Sequence, residues 1–210
     1  MEDVLDLYNE PYDPKQPVLC FDEMPYQLLS GVIEPMPVAP GKPERFDYHY
    51  ERHGVCNLLC AFEPLTGQRI ITITKHRRRK EYAEFMKEIV EVHYKDAEVI
   101  RLVQDNLNTH NGGSFYETFD SETAQRIYKR FEYHYTPKKA SWLNMVEFEF
   151  SAISRQCLKR RILSIETLKK ETAIIVEERN EAHTKVNWQF SKKDARKKFK
   201  RFYVNDNIKY

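Results

Sequence analysis

The sequence predicts an α/β domain, a mixed central sheet flanked by helices. Short apolar, β-branched runs such as VLCF, IITIT and EVIRLV read as strands. Stretches such as KEYAEFMKEIVEVHY repeat their apolar residues at helical spacing. A run of strands opens the chain, and helix, strand, helix, strand and two helices follow, the alternation of a sheet with helices packed on it.

The elements follow in order. PVLCFDE (17–23) reads as a buried strand ending in two acids, and a proline-rich connection spans Pro25 to Pro43. ERFDYHYER (44–52) alternates, as a strand with one exposed face does. VCNLLCAFEP (55–64) and QRIITITKHR (68–77) are two further strands joined by a hairpin-like turn, where Gly67 can take positive φ. Residues 80–94 form a helix on Tyr82, Phe85, Met86, Ile89, Val90 and His93. AEVIRLVQD (97–105) is the next strand. A helix over 121–131 opens on Ser121 as N-cap. FEYHYTP is a short strand ended by Pro137, and long helices cover 141–161 and 164–183. All 210 residues read as one domain, with a basic tail over about 185–210.

With 41% hydrophobic and 31% charged residues, the chain has the composition of a folded globular protein. Net charge is only +2, so the molecule as a whole is no polycation. Its basic residues are clustered, however. Ser191 to Arg201 holds seven basic residues against Asp194, and HRRRK spans His76 to Lys80. Arg77, Arg78, Arg79, Lys138, Lys139, Lys192, Lys193, Arg196 and Lys197 are therefore candidates to hold nucleic-acid backbone, a solvated surface being the alternative. Cys20, Cys56, Cys60 and Cys157 show no metal-ligand pattern and read as buried free thiols of a reducing compartment. The N-terminus lacks a signal-peptide pattern, and no apolar run nears the roughly 20 residues of a membrane helix.

Three acids stand in unusual places. Asp22 closes the first strand, Asp105 ends the strand after the first helix, and Glu147 lies in a helix rich in large apolar residues. At about 100° per residue, Asn144, Glu147, Ser151 and Ser154 form a polar stripe on that helix, and Glu149 falls on another face, in need of its own partner or of solvent. The stripe suits a carboxylate facing a cleft; a buried salt bridge is the alternative. For Asp105 and Asn106, a plain turn role competes with chemistry at a strand tip. Carboxylates gathered in this way suit hard divalent cations such as Mg²⁺.

The motifs LCFDEMPYQL, PGKPERFDYHYERHG, NLLCAFEPLTGQR, LVQDNLNTH, HYTPKKASWLNMVEFEFSAISRQCL and NWQFSKKDARKKF resemble, over essentially the whole chain, the catalytic domain of the insertion-sequence six-thirty family of mariner-type transposases. That resemblance implies a ribonuclease H-like fold and a catalytic, metal-holding triad of Asp22, Asp105 and Glu147. Asp105 follows Asp22 by 83 residues and Glu147 follows Asp105 by 42. It further implies supporting roles for Asn106, His110 and Asn144, and two Mg²⁺ ions, with Mn²⁺ as substitute. The expected partners are transposon-end DNA and a TA-containing target, and a second copy of the chain. The expected setting is the prokaryotic cytoplasm, on the nucleoid. The family's N-terminal helix-turn-helix region has no counterpart before the first strand, so a non-autonomous regulator of a full-length transposase stands as the alternative function. Trp142 and Trp188 are candidates to stack on bases or, alternatively, core residues. His49, His53 and His134 have no partner legible in the sequence.

Overall fold

The computed structural model describes residues 1–32, 40–41, 48–138 and 140–200. The elements are α1 (Glu2–Leu7), β1 (Val18–Gly31), β2 (Tyr50–Glu63), β3 (Gln68–Thr74), α2 (Arg79–Glu88), β4 (Ile100–Gln104), α3 (Gly113–Thr118), α4 (Ser121–Tyr128), β5 (Phe131–Tyr135), α5 (Val146–Gln156), α6 (Ile165–Glu181) and α7 (Lys192–Lys198). The strands form one sheet in the order β3-β2-β1-β4-β5. β2 is antiparallel to both its neighbours, whereas β1, β4 and β5 run parallel. The sheet is mixed, as expected.

Alternation along β1 divides the core. Val18 and Cys20 face one layer, with Val146, Phe150 and Ile153 of α5 and Leu168 of α6. Leu19 and Phe21 face the other, with Tyr82, Phe85 and Met86 of α2, Phe115 of α3 and Ile127 of α4. Both faces of β1 are buried, which is why its start reads as a continuous apolar run. Each large side chain so buried contributes about 1.5–3 kcal/mol. The four cysteines are free and buried.

Several boundaries differ from the sequence reading. β1 continues through Pro25 to Gly31 instead of giving way to a proline-rich connection. Its pairing with β4 stops at Cys20, so Pro25 sits where that side of the strand has no ladder to interrupt. The two strands expected over 44–52 and 55–64 are one strand, β2, from Tyr50; residues 44–47 lie outside the described residues. Gly54 at φ +99 and a register shift opposite Gln27 to Leu29 mark a bulge within it. The turn at Gly67 is as expected, with φ +79. Beyond α2, residues Ile89–His93 form a π-helical turn. Asp120, not Ser121, caps α4, accepting from the Thr123 N–H. The helix expected over 141–161 is a 3₁₀ turn at Ser141–Leu143, an extended Asn144, and then α5. Three short helices, α1, α3 and α7, were not legible; each has fewer than eight residues, too few for a periodic signal. No helix among the described residues is long and apolar enough to cross a membrane.

Candidate active site

The parallel pairing of β1 with β4 ends at Cys20 and Val103, and Asp22 and Asp105 each lie two residues beyond it, close enough for the Asp105 charge to act on Asp22. Each carboxylate has one oxygen engaged. The Glu23 N–H donates to Asp22 Oδ1 at 2.8 Å. Asp105 Oδ1 accepts from the Leu107 N–H at 3.2 Å and lies 2.6 Å from His110 Nδ1. Among the described residues the second oxygen of each accepts no hydrogen bond.

Protons divide unevenly between the pair. Burial, reinforced by the charges of Asp105 and Glu23, pushes the Asp22 carboxyl up to about 7 against the opposing pull of the Glu23 N–H and His110. Asp105 is held below the ordinary carboxylate range, chiefly by its hydrogen bond from His110. For His110, burial alone would lower the proton affinity, but the two carboxylates on its ring, Asp105 and Glu23, raise it to about 9. Asp105 therefore keeps its charge, and Asp22 is the acid that holds the proton.

The helix that carries Glu147 meets β1 through other residues of its polar stripe. Asn144, in the extended link before α5, donates from Nδ2 to the Phe21 carbonyl at 2.8 Å. One helical stripe further, the Ser154 hydroxyl lies 3.7 Å from Met24 Sδ. The predicted polar stripe thus faces β1 across residues 21–24, with exposed Glu147 between its two contacts. Among the described residues no three His, Cys, Asp or Glu side chains converge closely enough to hold a metal ion. The fold brings Asp22 and Asp105 together and leaves Glu147 apart from them. The buried salt bridge weighed for Glu147 belongs to Glu149, which meets Arg69 Nε at 2.9 Å and Arg179 Nη2 at 2.8 Å.

The basic candidates separate into two groups. Arg77 and Arg78 follow β3, and Lys138 follows β5; all three are exposed at the sheet end where Asp105 lies. Arg79 pairs with Glu117. Within the expected basic tail, residues 192–198 fold as α7, where Lys192 meets Asp6 at 2.6 Å and Arg196 meets Glu2 at 2.7 Å, both acids of α1, while residues 201–210 lie outside the described residues. Lys193 and Lys197 stay exposed, Asn106 is exposed, and Lys139 lies outside the described residues. Trp142 and Trp188 stack on each other at 6.2 Å. His53 meets Ser30 at 2.8 Å and His134 meets Asp3 at 2.8 Å, partners distant in sequence. The acid missed by the sequence reading is Glu23. Its signal was there: alternation places it on the face of Leu19 and Phe21, where a carboxylate needs a partner, and His110 is that partner.

A family model of DDE superfamily endonucleases matches residues 17–169, a span that contains Asp22, Asp105 and Glu147. No curated protein sequence is significantly similar to the chain. Among solved structures it is similar to the Mos1 mariner paired-end complex with Mn, with a TM-score of 0.57 and 13% identity over 86% of this chain and 54% of that one. The Mos1 strand transfer complex gives 0.54 and 12%, covering 80% and 53%. A pre-cleavage Mos1 transpososome gives 0.52 and 13%, covering 86% and 58%. The chain spans little more than half the length of these proteins, and the likeness shows the ribonuclease H-like fold.

Proposed function

Because the chain belongs to the DDE superfamily endonucleases, we propose that it is a transposase catalytic domain that cuts and joins DNA strands by divalent-metal-assisted phosphoryl transfer. The observation that carries the proposal is that Asp22 and Asp105 each lie two residues beyond the β1–β4 ladder, close enough for the Asp105 charge to act on Asp22. The donor set fits a hard cation. It is all oxygen, and a nearby cation would relieve the repulsion and burial that hold a proton on Asp22. Asp22, Asp105 and Glu147 would hold two Mg²⁺ or Mn²⁺ ions. When bound, such ions activate a water and stabilise the leaving oxygen of a phosphodiester.

The protein's own part is placement. Asp22 gives up its proton, Asp105 is held charged by His110, and Asn144 ties the start of α5 to β1. Arg77, Arg78, Lys138, Lys193 and Lys197 hold phosphates without reading sequence. The DNA partners are transposon ends and a TA-containing target, with two copies of the chain acting together in the prokaryotic nucleoid. The test is nicking of supercoiled DNA in Mg²⁺ and in Mn²⁺ by the chain and by its Asp22→Asn, Asp105→Asn and Glu147→Gln variants. Each variant is expected to bind DNA and fail to cut it. Full cutting by any one removes that residue from the set. Inhibition of a full-length relative by a chain that cuts nothing would establish the regulator instead.

A further inference from the structure

His110 is buried beneath the sheet. Its ring is edge-on to Phe21 at 5.1 Å and stacked on Tyr82 at 5.1 Å. Nδ1 lies 2.6 Å from Asp105 Oδ1, and Nε2 lies 2.5 Å from Glu23 Oε2. Ionised carboxylates only accept hydrogen bonds, so the ring donates from both nitrogens. Both ring nitrogens are engaged, so His110 offers neither of them to a metal ion. Its backbone is fixed as well: Gln104 Nε2 donates to the His110 carbonyl at 2.8 Å, and the Tyr82 hydroxyl donates to Gln104 Oε1 at 2.9 Å.

What this assembly holds is the first stretch of chain beyond a ladder. The β1–β4 ladder ends at Cys20 and Val103 and the β4–β5 ladder at Gln104, so Asp105 is the first residue beyond both. We propose that Glu23 is a positioning residue that acts through His110: the Glu23–His110–Asp105 bridge takes up Asp105 Oδ1 and turns Oδ2 toward the cation that Asp22 shares. The side chains of Glu23 and His110 are 6% and 1% exposed, so the Glu23–His110 half of the bridge is shielded from competing water, and its Asp105 end opens to the site. This inference rests on the reading of Asp105 as a metal ligand.

Mn²⁺ affinity of the whole chain, by calorimetry, tests it alongside the ring N–H signals of His110 in the metal-free protein by NMR. Glu23→Ala is expected to weaken Mn²⁺ binding about tenfold, the usual cost of losing a residue that orients a ligand. Glu23→Gln, whose amide oxygen still accepts from Nε2, is expected to keep most of the affinity. Should the alanine variant not fold, Glu23→Asp serves: it keeps the charge, falls one methylene short of Nε2, and gives the same loss. Wild-type affinity in a folded Glu23→Ala, with binding abolished by Asp105→Asn, overturns the positioning role and leaves the metal site standing. If wild type and Asp105→Asn bind Mn²⁺ alike, the metal-site reading fails and the NMR signals decide. Loss of the Nδ1–H signal in Glu23→Ala then supports the bridge, and an unchanged signal overturns it.

Discussion

The side-chain amide of Asn144 donates to the main-chain carbonyl of Phe21 at 2.8 Å. This one bond joins the residue just before Asp22 to the residue three before Glu147. It is buried, and it ties the link ahead of α5 to the strand beneath it. Asn144→Ala leaves the carbonyl without that donor and is expected to cost about 1–3 kcal/mol. Urea denaturation of the variant measures it, and a loss well below that range would mean the strand carbonyl finds water instead.

Glu147 and Glu149 are expected to respond oppositely. Glu149→Gln leaves Arg69 and Arg179 facing each other with their counter-charge gone, a loss of about 3–5 kcal/mol. Glu147 is exposed, and Glu147→Gln is expected to change stability by no more than about 0.5 kcal/mol while abolishing cutting. Parallel urea curves and nicking assays separate the two roles. Equal destabilisation by both would mean α5 is rotated from the orientation described.

Without metal, the contributions of Asp22 and His110 to stability are expected to be lost in two stages as pH rises, whereas that of Asp105 is lost on acidification below the ordinary carboxylate range. Asp22 has its proton affinity raised in the fold, so its contribution is complete below the ordinary carboxylate range and is lost as pH rises through about 7. His110 is likewise raised, and its contribution, complete below about 6.5, is lost as pH rises through about 9. Asp22→Asn should flatten the first stage and His110→Gln the second, read as melting temperature against pH. Added Mn²⁺ competes with the Asp22 proton, so its affinity is expected to climb to about pH 7 and then level.

The basic side chains should not weigh equally on DNA. Alanine at Arg77, Arg78 or Lys138 is expected to weaken binding uniformly across sequences and to lower the salt slope by about one. Lys192 and Arg196 already pair with Asp6 and Glu2, so alanine there should change the slope less. Fluorescence anisotropy over a salt series distinguishes them, and equal slopes would show that α1 releases α7 on DNA.

The strands that carry Asp22 and Asp105 were legible because both are buried on both faces and read as apolar runs. Their meeting was not deducible from composition, since it depends on the parallel register of β1 and β4, set by the layers packed on either side. The stripe of Asn144, Glu147 and Ser154 was legible as helical spacing, although Asn144 proves to precede the helix. The partners of Glu149 and α7 were hidden for another reason. Arg69, Arg179, Glu2 and Asp6 are remote in sequence, and ordinary surface charges look no different from charges that will pair.

Asp22 and Glu23 are consecutive and serve opposite faces of the sheet. A strand repeats every two residues, so a single insertion between Val18 and Asp22 would exchange their places. Such an insertion would send Asp22 down onto Tyr82 and lift Glu23 toward α5. This part of the gene can therefore change its letters but not its count. Insertions are expected to be tolerated only beyond the paired segment, where no side chain has to arrive on a chosen side.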